Sequence, residues 1–153
     1  MTLNFVDFDG VLAMTSLGLQ RHLGIEESPP VDYNWCEGLV DWSALNRDFW
    51  ANLPVYYDTL ELFKRLDNVK IVTHCFSLEA IIGKHLWINR HWPGVEVVNL
   101  SEKWLVAGPN RVLYDDYPEQ IRQWKNAGGI GKLVARTWNT QSNIQREAIK
   151  ESE

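Results

Sequence analysis

Four acidic residues stand where apolar runs of this chain break off. Asp7 and Asp9 follow "LNFV" in the stretch "LNFVDFDGVLA", and the adjacent pair Asp115 and Asp116 follows "RVLY". Thr73 closes the run "VKIVT", while Ser101 and Lys103 come just after "VEVVNL". Clustered carboxylates repel one another unless a hard cation lies among them, and Mg2+ takes oxygen ligands. One carboxylate beside such an ion can attack phosphorus, so that one hard step becomes two easier ones. Asp7 is the expected nucleophile. Asp9, two positions on, is placed to protonate the leaving oxygen and later to take a proton from water, and Gly10 lets the chain turn sharply after it. Thr73 and Lys103 would hold the transferring phosphoryl group by hydrogen bonds and by charge.

Each residue also has a plainer reading. Asp and Gly end many strands through turn chemistry alone. Thr73 is a good strand former, and the Asp115/Asp116 pair could cap the helix that "PEQIRQW" predicts. What favours chemistry is that all four groups fall at strand ends, in one order along the chain. Lys84 rivals Lys103, but it lies in the middle of a predicted helix and reads as a solvated-face residue, so Lys103 is preferred. His74 is read as a substrate contact, with a hydrogen-bonded structural histidine as its alternative. Cys75 does not suit a thiol phosphatase, because position 81 is Ile where a phosphate-cradling Arg would stand. "NAGGIGKL" follows a helix and precedes a strand, the reverse of a phosphate-binding loop.

The elements that must position these groups alternate strand and helix. Strands are predicted over Leu3 to Val6, "VKIVTHC", "VEVVNL", "RVLY" and "KLVART". Between them, "YYDTLELFKRLDN" puts Leu60, Phe63 and Leu66 on one helical face. "SLEAIIGKHLWINRHWP" opens at Ser77 and turns Ile81, Ile82, Leu86 and Ile88 inward. Pro118 starts the helix of "PEQIRQWKNAGG" and two glycines end it. This alternation implies an α/β, Rossmann-like parallel sheet with helices on both faces, whose ligands bind beyond the carboxyl ends of the strands. Residues 13–54 interrupt the pattern as a small helical cap, with a short helix over Leu17 to Leu23 and another running from Asp41 through "WSALNRDFWANL". Residues 1–12 and 55–139 then make the core, and 140–153 a polar tail.

Composition narrows the partners. A net charge of −5 across 153 residues offers no basic field for a long nucleic acid. No 18-residue apolar window occurs and no leader is read at the start, so a cytoplasmic chain without a membrane partner is expected. Cys36 and Cys75 have no CxxC companion and read as reduced thiols. Eight tryptophans are unusually many, which calls either for packing or for a surface that stacks flat ligands. A homodimer is left open.

"VDFDGVL", "IVTHC", "SEKW" and "VLYDDY", in that order, resemble the four motifs of the haloacid dehalogenase-like phosphatases. Within that superfamily the sequence is similar to the 5′(3′)-deoxyribonucleotidases, in its DxDGVLA start, in the small cap inserted after it and in a late acidic strand end. The resemblance covers roughly residues 3 to 139. It implies a HAD-like fold with Asp7 as nucleophile, Asp9 as acid and base, and Thr73 and Lys103 as phosphate binders. Mg2+ would be held by the Asp7 carboxylate, the Asp9 main-chain carbonyl and Asp116, with Asp115 as a possible helper. The implied substrate is a nucleoside monophosphate, with Trp35 of the cap stacking on the base. His74-Cys75 departs from the small residue and proline usual after the threonine, which bears on substrate preference more than on chemistry. Other readings of the residues are a phosphatase of another small metabolite or of a polynucleotide 3′ end, and a binding module that kept the fold without turnover.

Overall fold

In the computed structural model the described residues are 1–139, so the predicted tail over 140–153 lies outside them. Strands β1 (Leu3–Val6), β2 (Val69–Thr73), β3 (Glu96–Asn99), β4 (Arg111–Asp115) and β5 (Ile130–Leu133) pair in parallel in the order β3-β2-β1-β4-β5. Helices α1 (Thr15–Leu23), α2 (Arg47–Ala51), α3 (Tyr57–Phe63), α4 (Leu78–His91) and α5 (Pro118–Asn126) connect and cover them. This is the expected Rossmann-like α/β class. None of the described helices is long and apolar enough to cross a membrane.

Successive strand side chains point to opposite faces, and the sequence supplies apolar residues to both. Val6 and Ile71 pack with Leu60, Phe63, Trp87 and Ile88 on one face. Phe5, Val72 and Leu113 pack with Ile121 and Trp124 on the other. Trp87 and Trp124 are fully buried, one per face. Each removes ~150–250 Å² from water, a gross stabilisation of about 4–6 kcal/mol. Packing therefore accounts for much of the tryptophan excess.

The 13–54 segment leaves and rejoins at one point. Ala13 bridges Val55, Met14 N–H donates to the Pro54 carbonyl at 2.7 Å, and Tyr56 N–H donates to the Leu12 carbonyl at 2.8 Å. Its Leu19, Leu45, Trp50 and Leu53 join the same apolar cluster as Val6 and Ile71, so it shares the core instead of forming its own. Helix α2 crosses α4 at Gly83. A Cβ there would meet the Trp50 Cβ at 2.4 Å and the Arg47 carbonyl at 2.5 Å, so only glycine permits the approach.

Three expectations shift. The single helix expected from Asp41 is broken: a 3-10 turn over Trp42–Ala44 capped by Asp41, then α2 capped by Asn46, whose side chain accepts from Phe49 N–H at 3.0 Å. Two capping residues five apart start two short helices where hydrophobic spacing alone suggested one. Strand β5 spans Ile130–Leu133, so it begins two residues before "KLVART" and stops four short of its end, with Gly131 tight against Ile121 of α5. Helix α4 does open at Ser77, whose hydroxyl accepts from Ala80 N–H at 3.0 Å. Its buried face is Ala80, Gly83, Lys84, Trp87 and Ile88, while Leu86 is exposed.

Candidate active site

In a β3-β2-β1-β4-β5 sheet the direction of the connections reverses between β1 and β4, which opens a crevice beyond their carboxyl ends. Asp7 is the first residue past β1, held by its N–H to the Tyr114 carbonyl at 2.9 Å. Asp115 ends β4 and Asp116 follows it. One carboxylate oxygen from each of Asp7, Asp115 and Asp116 lies within 4.8 Å of the others, and all three residues are buried. That is close to the ~4–5 Å spanned by opposite ligands of one Mg2+ or Ca2+.

Lys103 opens a 3-10 turn, Lys103–Val106, after β3 and reaches into this cluster. Its Nζ donates to Asp7 Oδ1 at 2.7 Å and to Asp115 Oδ2 at 2.9 Å. Burial opposes the ammonium charge, but Asp115 and Asp7 outweigh it and hold the Lys103 pKa above its ordinary value. The carboxyls respond the other way. Burial, with the charge of Asp115 next, pushes Asp7 up to about 6 in spite of Lys103. Burial and the charges of Asp7 and Asp115 raise Asp116 well above the carboxylate range. Three carboxyls around one ammonium lack positive charge, and an all-oxygen donor set of this kind fits a hard divalent ion. The Asp pair does not cap α5: Asp115 Oδ1 accepts from Tyr117 N–H at 3.0 Å, and the N-cap residue, Tyr117, makes no side-chain cap.

Asp9 turns the other way. Its Oδ1 accepts from Thr15 Oγ1 at 2.7 Å, and its Oδ2 from Lys84 Nζ at 2.7 Å. Its carboxylate stands apart from the Asp7, Asp115 and Asp116 group, which leaves its main-chain carbonyl as the contribution expected of it to a metal. Lys84 corrects the reading of a solvated helix residue. It is 1 % exposed, and its Nζ also donates to Thr73 Oγ1 at 3.0 Å and to the His74 carbonyl at 2.9 Å. The ammonium further lies 4.9 Å from the Trp50 ring and 5.3 Å from that of Phe8. The signal was available: Lys84 follows Ala80 by four and precedes Trp87 and Ile88 by three and four, which is the spacing of the buried face.

A cavity of about 540 Å³ opens over both clusters, with Asp7, Asp9, Lys84, Lys103, Asp115 and Asp116 in its floor. Thr73, fully buried at the end of β2, reaches it only through Lys84. His74 lines the cavity and is exposed, its ring 5.5 Å from that of Phe76. Trp35 also lines it, half-buried, with its indole N–H given to Ser16 Oγ at 3.2 Å. Tyr33, Trp42 and Trp50 also line it, Trp50 while packed in the core. Tyr33 stacks flat on Tyr117 at 4.1 Å. Burial, then the charges of Asp116 and Asp7, keeps its hydroxyl protonated far past neutrality.

No protein-family profile matches the chain. Nor does any curated protein match it significantly. Among solved structures it is similar to the UTR4 protein (unknown transcript 4 protein) of Saccharomyces cerevisiae, with a TM-score of 0.52 at 12% identity over 92% of each chain. That likeness is one of fold.

Proposed function

We propose that the chain is a Mg2+-dependent phosphomonoesterase acting through an aspartyl-phosphate on Asp7, with a nucleoside monophosphate as its substrate. The observation that carries this reading is the meeting of Asp7, Asp115, Asp116 and Lys103 at the crevice between β1 and β4, with Asp9 and Lys84 alongside. Bound Mg2+ would be held by the Asp7 carboxylate, the Asp9 main-chain carbonyl and the Asp115/Asp116 pair, and would neutralise phosphate oxygens.

Lys103 occupies Oδ1 of Asp7, so Oδ2 attacks phosphorus. As that bond forms, the bond from phosphorus to the leaving oxygen breaks, and Asp9, having taken up a proton from the incoming phosphate monoanion, passes it to that oxygen. Water then attacks the phosphorus of the aspartyl-phosphate, Asp9 takes its proton, and Asp7 leaves with phosphate released. Thr15 and Lys84 orient the Asp9 carboxyl for both transfers. Lys103 stabilises the transferring phosphoryl group, Thr73 acts only by holding Lys84 from behind instead of binding phosphate as expected, and the aromatic wall containing Trp35 receives a flat leaving group.

Hydrolysis of an aryl phosphate and of a panel of nucleoside monophosphates, by wild type and by Asp7→Asn with and without Mg2+, tests the reading. Turnover that needs Mg2+ and falls on the order of 10⁴-fold or more in Asp7→Asn is expected. Equal inactivity of the two proteins sinks the reading in favour of a binding module, and preference for a non-nucleotide ester removes only the substrate.

A further inference from the structure

We infer that residues 136–139, just past β5, are a strap that sets the geometry of the metal site, with Trp138 as the positioning residue for Asp116. This rests on the metal-dependent reading above. The Trp138 indole N–H donates to Asp116 Oδ2 at 2.9 Å between two buried side chains, which fixes the orientation of that carboxyl beside Asp7 and Asp115. Asn139, 1 % exposed, donates from Nδ2 to the main-chain carbonyl of Asp116 at 2.6 Å and to that of Val134 at 2.9 Å. Its Oδ1 accepts from Arg136 N–H at 2.8 Å, which closes the segment on itself.

The same segment grips the loop after β1. Arg136 Nε donates to the Gly10 carbonyl at 2.8 Å, and its Nη2 to the Val11 carbonyl at 3.1 Å and to Thr59 Oγ1 at 3.2 Å. Its guanidinium lies 3.7 Å from the centre of the Tyr56 ring. Gly10 is the tight point between the two grips. At φ +78°, a Cβ there would meet Asp116 Oδ2 at 2.4 Å and the Trp138 ring at 3.1 Å. The loop that carries Asp7 and Asp9 and the strand end that carries Asp116 are thus bound to one short segment. Partners behind a metal's direct ligands fix ligand orientation, and their loss typically costs ~10–100-fold in metal affinity.

Trp138→Phe removes the N–H and keeps an aromatic ring. Calorimetric titration of the full chain with Mg2+, without substrate, is expected to show affinity about tenfold or more weaker, and the Mg2+ concentration for half-maximal turnover should rise while kcat at saturating Mg2+ changes little. A lowered melting temperature with unchanged Mg2+ affinity overturns the inference, because it leaves Trp138 only a packing role. Should the variant not fold, wild type decides. On Mg2+ titration the Trp138 indole N–H resonance should move while that of Trp124, bonded to the Arg111 carbonyl at the start of β4, stays. A stationary Trp138 resonance overturns the inference. A wild-type chain that binds Mg2+ but hydrolyses no phosphate monoester defeats the phosphatase reading and leaves the strap intact.

Discussion

Two lysines divide the site into an inner and an outer half, and the halves are built differently. Inside, Lys103 bridges Asp7 and Asp115 while Asp116 stands by, three carboxyls to one ammonium, all of them buried. Outside, Lys84 holds Asp9 alone, one to one, with the Asp9 side chain 36% exposed and Thr15 satisfying its second oxygen. The inner half is short of positive charge in a place where water cannot make up the difference. The outer half is complete as it stands. A buried charge without compensation costs several kcal/mol, whereas a partly hydrated one costs little. The inner half should accordingly govern stability and metal dependence, and the outer half the rate.

Removing the inner ammonium gives the largest effect. Lys103→Met leaves Asp7 and Asp115 buried without their cation, and a loss of ~3–5 kcal/mol at neutral pH is expected, eased by Mg2+. Urea melts with and without the ion read it. A variant as stable as wild type without Mg2+ would erase the contrast between the halves.

The metal-free wild type supplies the next measure. The pKa of Asp7 is raised in the fold from 3.8 to about 6, so its favourable contribution is full below the unfolded value and is lost as pH climbs through the folded one. Between pH 4 and 6 this amounts to about 3 kcal/mol, and Asp116 adds to the same sign. Stability of the metal-free protein should therefore fall over that window, and Mg2+, which favours ionised carboxylates, should flatten the fall. A profile that rises with pH in the absence of metal contradicts the inner half as described.

The outer half yields the smallest stability change. Lys84→Met leaves Asp9 to water but strands the buried Thr73 hydroxyl and the His74 carbonyl, so the fold should lose about 1–2 kcal/mol, while kcat drops roughly 10²-fold as the acid and base group loses its orientation. Melting and steady-state kinetics on one preparation separate the two. Equal losses in stability for both lysine variants would mean that the halves are not distinct.

Much of this was legible along the chain. Strand identity followed from β-branched runs, Ser77 marked the start of α4, and the acids at strand ends pointed to a shared crevice. The strands' carboxyl edge follows from parallel alternation alone. Lys84 was not recognised, because a charged residue in a helix normally faces water and its burial depends on Thr73, Asp9 and the His74 carbonyl, which lie up to 75 residues away. The broken cap helix turned on Asp41 and Asn46 acting as separate caps, a competition between local hydrogen bonds and apolar spacing. Trp138 and Arg136 had no local signature, since neither chemistry nor spacing relates them to Asp116 or Gly10 before the chain is folded.

By itself the sequence determined which residues end each strand, hence which side chains arrive at the carboxyl edge, because period-two burial and turn-forming residues are properties of neighbours along the chain. Only the tertiary structure decided how their charges are shared: which lysine meets which carboxylate, how little positive charge is left for Asp116, and that a tryptophan from beyond β5 reaches it. Those outcomes depend on distance and burial between segments that are remote in sequence, and electrostatic strength is set by those two quantities.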